Sequence, residues 1–382
     1  MADIRANLPR DLRSWRRPEG HEKSFEPCEA LWKDLRGFFE AHGYTLWDYW
    51  VNSMLVAPDS DAFDPCSSGF MYISANRTWN DDGPGNLERI LQYDYMNALT
   101  RAARARDGRD VVIRVLAIGE DGKEHVELLD MIARGPDSLL AINHSLPLLE
   151  IIELEDITFG IFPKAGWSLY LAYNFWAKSS VGDILHLFLQ CLEALVYLHN
   201  IGVAHRDVFR DNFLAQWLPE SLEMKFMPPS QPRVYINDFE VAVYFPPEVP
   251  EEERRCTGLP MGGSFPDHYG RPVPPEVESG KPYDPFKLDV WQLGTSFSDF
   301  KSTIPEVDAV LTSLTDPDPE ARPTAHGAIM ALLEVMSNIP PRALKIAPET
   351  KPLEFLTWSS SGSGQSIKEQ EDTPEQENNL SS

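Results

Sequence analysis

Basic residues are scarce in this chain of 382: 34 lysines and arginines stand against 59 aspartates and glutamates, a net charge of -25. A surface of that sign repels phosphate backbones and anionic lipid alike, which argues against a nucleic-acid or membrane partner. Cysteine is scarce too. Cys28, Cys66, Cys191 and Cys256 are scattered and form no CxxC pair, so neither a disulfide frame nor a zinc site is expected, and the thiols read as reduced and structural. Uninterrupted apolar runs are missing: even Ile184 to Leu198 contains His186, Gln190 and Glu193, short of the roughly 18 residues of a membrane span. The opening MADIRANLPRDLRSWRR carries charge where a secretory signal needs an apolar core. Together these absences lead us to expect a soluble protein of the cytoplasm or nucleus.

The length suffices for a sizeable core and about two domains. Residues 1–27 mix arginine, proline and acidic residues without periodicity and read as a flexible arm. In 28–85, an N-terminal extension, Leu31, Leu35, Phe38 and Phe39 recur at helical spacing before Gly43. Asp59 to Asn86 is rich in turn formers and reads as loop, with one strand near Phe70 to Ile73. Next come a β-branched strand from Arg109 to Gly119, preceded by a turn at Gly108, and a helix carrying Leu128, Leu129 and Ile132. Leu146 to Pro163 reads as two strands joined by Glu155 and Asp156. Val181 to His199 reads as a long core helix that includes Cys191. A Pro-, Glu- and Ser-rich stretch from Trp217 to Pro232 reads as an exposed loop. The polar, acidic end, residues 343–382, reads as a disordered tail.

Chemistry concentrates after that core helix. The chain turns at Gly202 into His205, Arg206, Asp207, with Asn212 five residues beyond the aspartate. Asp238, Phe239, Glu240 follow, then Pro274, Pro275, Glu276, then Asp289, Val290, Trp291, Leu293, Gly294, then Arg322, Pro323. Five landmarks in this order resemble the eukaryotic protein kinase superfamily. The marks AHGY at Ala41 to Tyr44 and DFE at Asp238 to Glu240 are similar to a divergent protein-kinase-like family found in fungi. The resemblance implies an α+β, bilobal kinase-like fold, with a β-rich small lobe over 86–163 and a mostly helical large lobe over 164–342. It implies ATP and Mg²⁺ as cofactors and a protein substrate or partner. Asp207 would accept the proton of the attacking hydroxyl, and Asn212 and Asp238 would hold the metal. Arg206 would pair with a phosphate on the activation segment, for which Thr257, Ser264 and Tyr269 are candidate acceptors. Glu276 with Arg322 would anchor that segment, and Asp289 would hold the catalytic-loop backbone.

The small-lobe side departs from the family. Arg114 stands where the phosphate-reaching lysine belongs, a substitution that is not conservative at such a site. His125 stands where its glutamate belongs, with Glu124 as a possible partner one residue away. No glycine-rich loop precedes the strand; the Gly83, Pro84, Gly85 triplet lies too far upstream. Phe162 to Gly166 should border an adenine pocket, which makes Phe162 and Lys164 cofactor-binding candidates. Phe209 replaces the lysine expected two residues after Asp207, and Arg210 beside it reads either as a γ-phosphate contact or as a surface charge. Three functions follow: a protein kinase weakened by these losses, a pseudokinase serving as a binding or scaffold module, or a kinase of small molecules.

Overall fold

In the computed structural model the described residues are 4–58, 73–76, 86–89, 92–166, 168–175, 177, 180–216, 231–265 and 268–351. The Gly83–Gly85 triplet, most of the 70–73 strand and the 217–232 loop, and the tail beyond 351 fall outside them.

A five-stranded antiparallel sheet forms the upper layer. Its strands lie side by side in the order Tyr44–Leu46, Thr100–Ala105, Asp110–Ile118, Ile157–Pro163, Glu150–Leu154. The central Asp110–Ile118 strand is buried along most of its length, which is why its sequence reads as a continuous β-branched run. Gly108 turns the chain into it with φ of 84°, a left-handed conformation that glycine adopts without steric cost. The sheet begins at Tyr44, well before the boundary expected at residue 86. Its first two strands, which a short glycine-rich hairpin would join in a kinase, are instead separated by residues 47–99. That connection carries a small sheet of its own, Asp48–Val51, Met54–Val56 and Gln92–Asp94.

The N-terminal residues are a further correction. Instead of a flexible arm, Leu12–Arg16 forms a short helix capped by Asp11, whose carboxylate accepts the Ser14 N–H. Leu8, Leu12 and Trp15 are buried against the sheet. Three such side chains contribute roughly 5 kcal/mol of transfer free energy, which is why charge and proline in the sequence did not leave the segment loose. The Glu26–His42 helix packs beside it and ends at Gly43, which is left-handed with φ of 92°. Trp15, Trp32, Phe38 and Phe39 surround Phe159 of the sheet at ring-centroid distances of 5.1–6.4 Å. The indole N–H groups of Trp15 and Trp32 both donate to the Ala98 carbonyl, at 3.0 and 2.9 Å.

The lower layer is helical. Val181–Asn200 starts at Ser180, whose hydroxyl accepts the Asp183 N–H. By length and composition this helix could cross a membrane; here its apolar residues, Ile184, Leu187, Phe188, Cys191 and Leu195 among them, form the lower core. Pro285–Ser296 and Ala325–Ser337 pack around it. The metal-candidate strands Phe213–Gln216 and Arg233–Ile236 pair antiparallel above. Residues 343–351, expected to be disordered, are folded: Leu344 is buried and Glu349–Thr350 pairs with Phe300–Lys301. A curled antiparallel sheet over a helical layer is the α+β, bilobal, kinase-like fold.

Candidate active site

The large-lobe half of the site is assembled by one buried carboxylate. Asp289, on the Pro285–Ser296 helix, accepts the backbone N–H of His205 at 2.8 Å and of Arg206 at 2.6 Å, and His199 at 2.9 Å. Gln292, one turn along, accepts the Val208 N–H and donates to the Arg206 carbonyl. Held this way, Arg206 takes φ of 67°, a left-handed turn that non-glycine residues rarely adopt. The turn delivers Asp207 to Asn212, whose side-chain amide donates to the Asp207 carboxylate at 2.7 Å and to its carbonyl at 2.8 Å. Because the amide nitrogen is spent there, the amide oxygen is the atom Asn212 has for a cation. Glu276 and Arg322 form the buried ion pair the motifs imply, at 2.8 Å.

Other groups crowd Asp207. The Tyr269 hydroxyl donates to its Oδ1 at 2.8 Å and receives the Gln292 amide at 3.1 Å. Arg271 grips Asp211 with two bonds of 3.1 and 2.7 Å, stacks 4.8 Å from the Phe209 ring, and brings its Nε to 3.5 Å from Asp207. Burial pushes the Asp207 carboxyl above the usual range, with Arg271 and Tyr269 pulling against it. Arg210 is neither a phosphate contact nor a surface charge: it is buried, paired with Asp299 at 3.0 Å and stacked 4.1 Å from Tyr173. Arg206 donates to the Val241 and Leu259 carbonyls and the Tyr283 hydroxyl, each at 3.3 Å.

The small-lobe half is wired differently from expectation. Arg114 projects from the central strand onto Asp238 at 2.7 Å and Glu240 at 3.0 Å. Its partner is therefore not Glu124. His125 does lie near Arg114, buried on the Lys123–Ala133 helix, and burial, helped by the Arg114 charge, drops its pKa to about 3. Glu240 also receives Arg16, from the N-terminal helix, at 3.4 Å. Burial pushes the Asp238 carboxyl up, but Arg114 and Arg16 outweigh it and hold it at about 2. Asp238 has φ of 63°, a left-handed conformation that Asp tolerates better than most residues. A cavity of about 350 Å³ lies beside this network, walled by Leu12, His125, Arg206, Glu240 and Ser264. It reaches neither Asp207 nor the 162–166 segment.

That segment turns its side chains and donors inward. Phe162 packs in the lower core, and the Lys164 ammonium lies 5.2 Å from the Trp47 ring. The backbone N–H groups of Lys164, Ala165 and Gly166 donate to Asp110, Pro163 and Gln216. Residue reasoning missed Arg16, Arg271 and the Tyr269 contact with the base. Glu240 alone carried a signal, as a charged residue in a glycine's place.

Magnesium and nucleotide phosphates fit what remains. Asp238 and the Asn212 amide oxygen supply hard oxygen donors. The buried Nε of Arg114 has no partner among the described residues, a donor suited to phosphate oxygen.

No family model matches the chain. It is similar to the serine/threonine-protein kinase ppk8 of Schizosaccharomyces pombe, 36% identical over 105 residues, covering 28% of this chain and 17% of that protein. Sperm motility kinase Z of Mus musculus is 29% identical over 157 residues, 41% of this chain and 27% of that protein. A probable myosin light chain kinase of Dictyostelium discoideum is 27% identical over 202 residues, 52% and 45%. The matches thus span less than half the length of each of these relatives.

Proposed function

From its relationship to the protein kinase superfamily, we propose that this chain transfers the γ-phosphate of ATP to a protein hydroxyl, at a rate reduced by its small lobe. The observation that supports the reading is the Asp207–Asn212 contact, in a loop whose His205 and Arg206 backbone is held by Asp289. When bound, the nucleotide and Mg²⁺ supply the phosphoryl group and neutralise its developing charge. Asp207 holds the acceptor hydroxyl by hydrogen bond and takes its proton; Tyr269 has to yield Oδ1 for that. Asp238 and Asn212 would hold the metal, and Arg114 would offer its unpartnered Nε to the phosphates. Because phosphoryl transfer is mostly positioning and electrostatics, a weaker grip lowers affinity and rate without altering the chemistry. A cytoplasmic or nuclear setting and a protein substrate belong to the same proposal.

A second reading, a pseudokinase that binds partners without turnover, is favoured by a separate observation. The chain's own groups fill the site: Arg114 sits on Asp238, Tyr269 on Asp207, and the backbone donors of 164–166 are spent internally.

The test is the thermal unfolding midpoint at saturating ATP, with and without Mg²⁺, for the native chain and Asp238→Ala, followed by transfer to a generic protein acceptor. A ligand at a hundredfold its Kd adds about 2.7 kcal/mol. A Mg²⁺-dependent rise that the alanine abolishes, with transfer, supports the kinase. No rise at millimolar ATP removes it and leaves the binding module.

A further inference from the structure

We propose that Glu240 is the positioning carboxylate for Arg114, the role a helix glutamate fills for the family's lysine, and that Arg16 of the N-terminal helix holds Glu240 in place. The inference rests on the phosphotransfer reading and gives a role to Glu240, which the motif marked only as a departure, and to Arg16, which nothing in the sequence singled out.

A guanidinium that must meet phosphates needs a carboxylate beside it to fix its direction. Among the described residues no carboxylate of the facing helix pairs with Arg114: His125 occupies the position and stays neutral in its buried setting, and the ion pairs of Arg114 go to Asp238 and Glu240. Glu240 supplies one. Its Oε2 takes Arg114 at 3.0 Å and Arg16 at 3.4 Å, and its Oε1 takes the Ser264 N–H. Arg16 is fixed in turn by Ser264 Oγ at 2.8 Å and by the Phe265 ring at 4.9 Å. Two guanidiniums and two carboxylates, Asp238 and Glu240, close the charge balance, which a buried cluster requires.

The chain also leaves room for this carboxylate. A Cβ on Gly263 would fall 2.6 Å from Glu240 Oε1 and 2.8 Å from its Cγ, and Gly263 itself has φ of 53°. Any side chain there would collide with the glutamate. Glu240 in place of the family's glycine thus packs where position 263 is a glycine.

The change of carrier alters what controls the site. A carboxylate on the Lys123–Ala133 helix would make the position of Arg114 depend on that helix. Glu240 instead lies two residues from Asp238, so the metal ligand and the positioning carboxylate move as one, and the N-terminal helix secures both.

The test compares Glu240→Gln, Arg16→Gln, these two changes together, and the double variant Glu240→Gln/His125→Glu. The readouts are ATP·Mg affinity by calorimetry, KM against kcat, and the unfolding midpoint without nucleotide. For Glu240→Gln, Kd and KM for ATP should rise about tenfold with a smaller change in kcat. For Arg16→Gln they should rise about threefold. His125→Glu in the Glu240→Gln background should return affinity to within about threefold of native, because the carboxylate then comes from the helix. Unchanged affinity in Glu240→Gln, or no recovery in Glu240→Gln/His125→Glu, overturns the proposal. If the native chain binds ATP without transfer, the phosphotransfer reading fails while the affinity comparison still decides this one. If it binds no ATP, the nucleotide-free midpoints decide. Effects of Glu240→Gln and Arg16→Gln that are non-additive, with recovery by His125→Glu, then support the triad, and simple additivity sinks it.

Discussion

The two halves of the site were built by different rules. On the large-lobe side, the two contacts the motifs imply both form, Asp289 on the His205 and Arg206 backbone and Glu276 on Arg322, and Asn212 bonds to Asp207 beside them. On the small-lobe side none of the expected pairs forms. Arg114 reaches across to Asp238 and Glu240, and the N-terminal helix contributes Arg16. The difference teaches that a fold can keep the motif contacts of one lobe while drawing the partners of the other from new places in the chain. A base must stand at one point, whereas a counter-charge can arrive from any direction that ends within about 3 Å.

The sharpest way to set the halves against each other is Asp207→Asn. Transfer should fall by about 10³-fold, in the range for loss of a general base, while the Mg²⁺-dependent ATP shift stays, since the small-lobe contacts are untouched. A loss below threefold would remove Asp207 from its role. Asp289→Ala comes next. It strands two buried backbone N–H groups at about 1–3 kcal/mol each, so chemical denaturation should show a loss of roughly 2–6 kcal/mol together with loss of transfer. A stability change under 1 kcal/mol would mean the loop holds itself.

A smaller effect probes the small-lobe side. The pKa of His125 is depressed from 6.5 to about 3, so its contribution is present above pH 6.5. As pH falls, the unfolded chain binds a proton the folded one refuses, and stability drops by up to about 1.4 kcal/mol per unit. Between pH 6.5 and 5 the native chain should lose stability more steeply than His125→Gln; parallel curves would place His125 in a wetter setting than the structure gives it. Smallest is Arg5→Ala. The Arg5–Asp156 pair joins the N-terminal segment to an exposed turn, and its loss should cost about 0.2–1 kcal/mol in urea titrations. A cost of several kcal/mol would mean the segment depends on charge more than on Trp15.

The legible parts of the chain were those whose contacts are local or whose pattern repeats. The Val181–Asn200 helix, the Asp110–Ile118 strand and the Glu155–Asp156 turn follow from periodicity and turn chemistry. The Asp207–Asn212 contact spans five residues and sits inside one motif. Arg16 to Glu240 spans 224 positions and depends on how the N-terminal helix docks, which nothing near residue 16 encodes. The arm was misread for a related reason: Leu8, Leu12 and Trp15 do fall four and three residues apart, but three apolar residues among arginines and prolines are a short signal, and their burial is decided by Phe159 and its neighbours far along the chain. Arg210 read as a γ-phosphate contact or a surface charge because arginine is rarely buried, yet Asp299 and the Tyr173 ring wait for it across the lobe.

The shared carbonyl of Ala98 makes the docking of the first helix optically visible. Trp15 and Trp32 bond to the same oxygen in a dry, aromatic setting, where indole emission lies to the blue. Release of the helix frees one indole to solvent and leaves the other beside a vacated pocket, so both fluorophores change together. With Trp15 replaced by phenylalanine, Trp32 is the one indole left on that oxygen, and the change in emission, read as a difference over the chain's other tryptophans, would then report whether Arg16 is at its station.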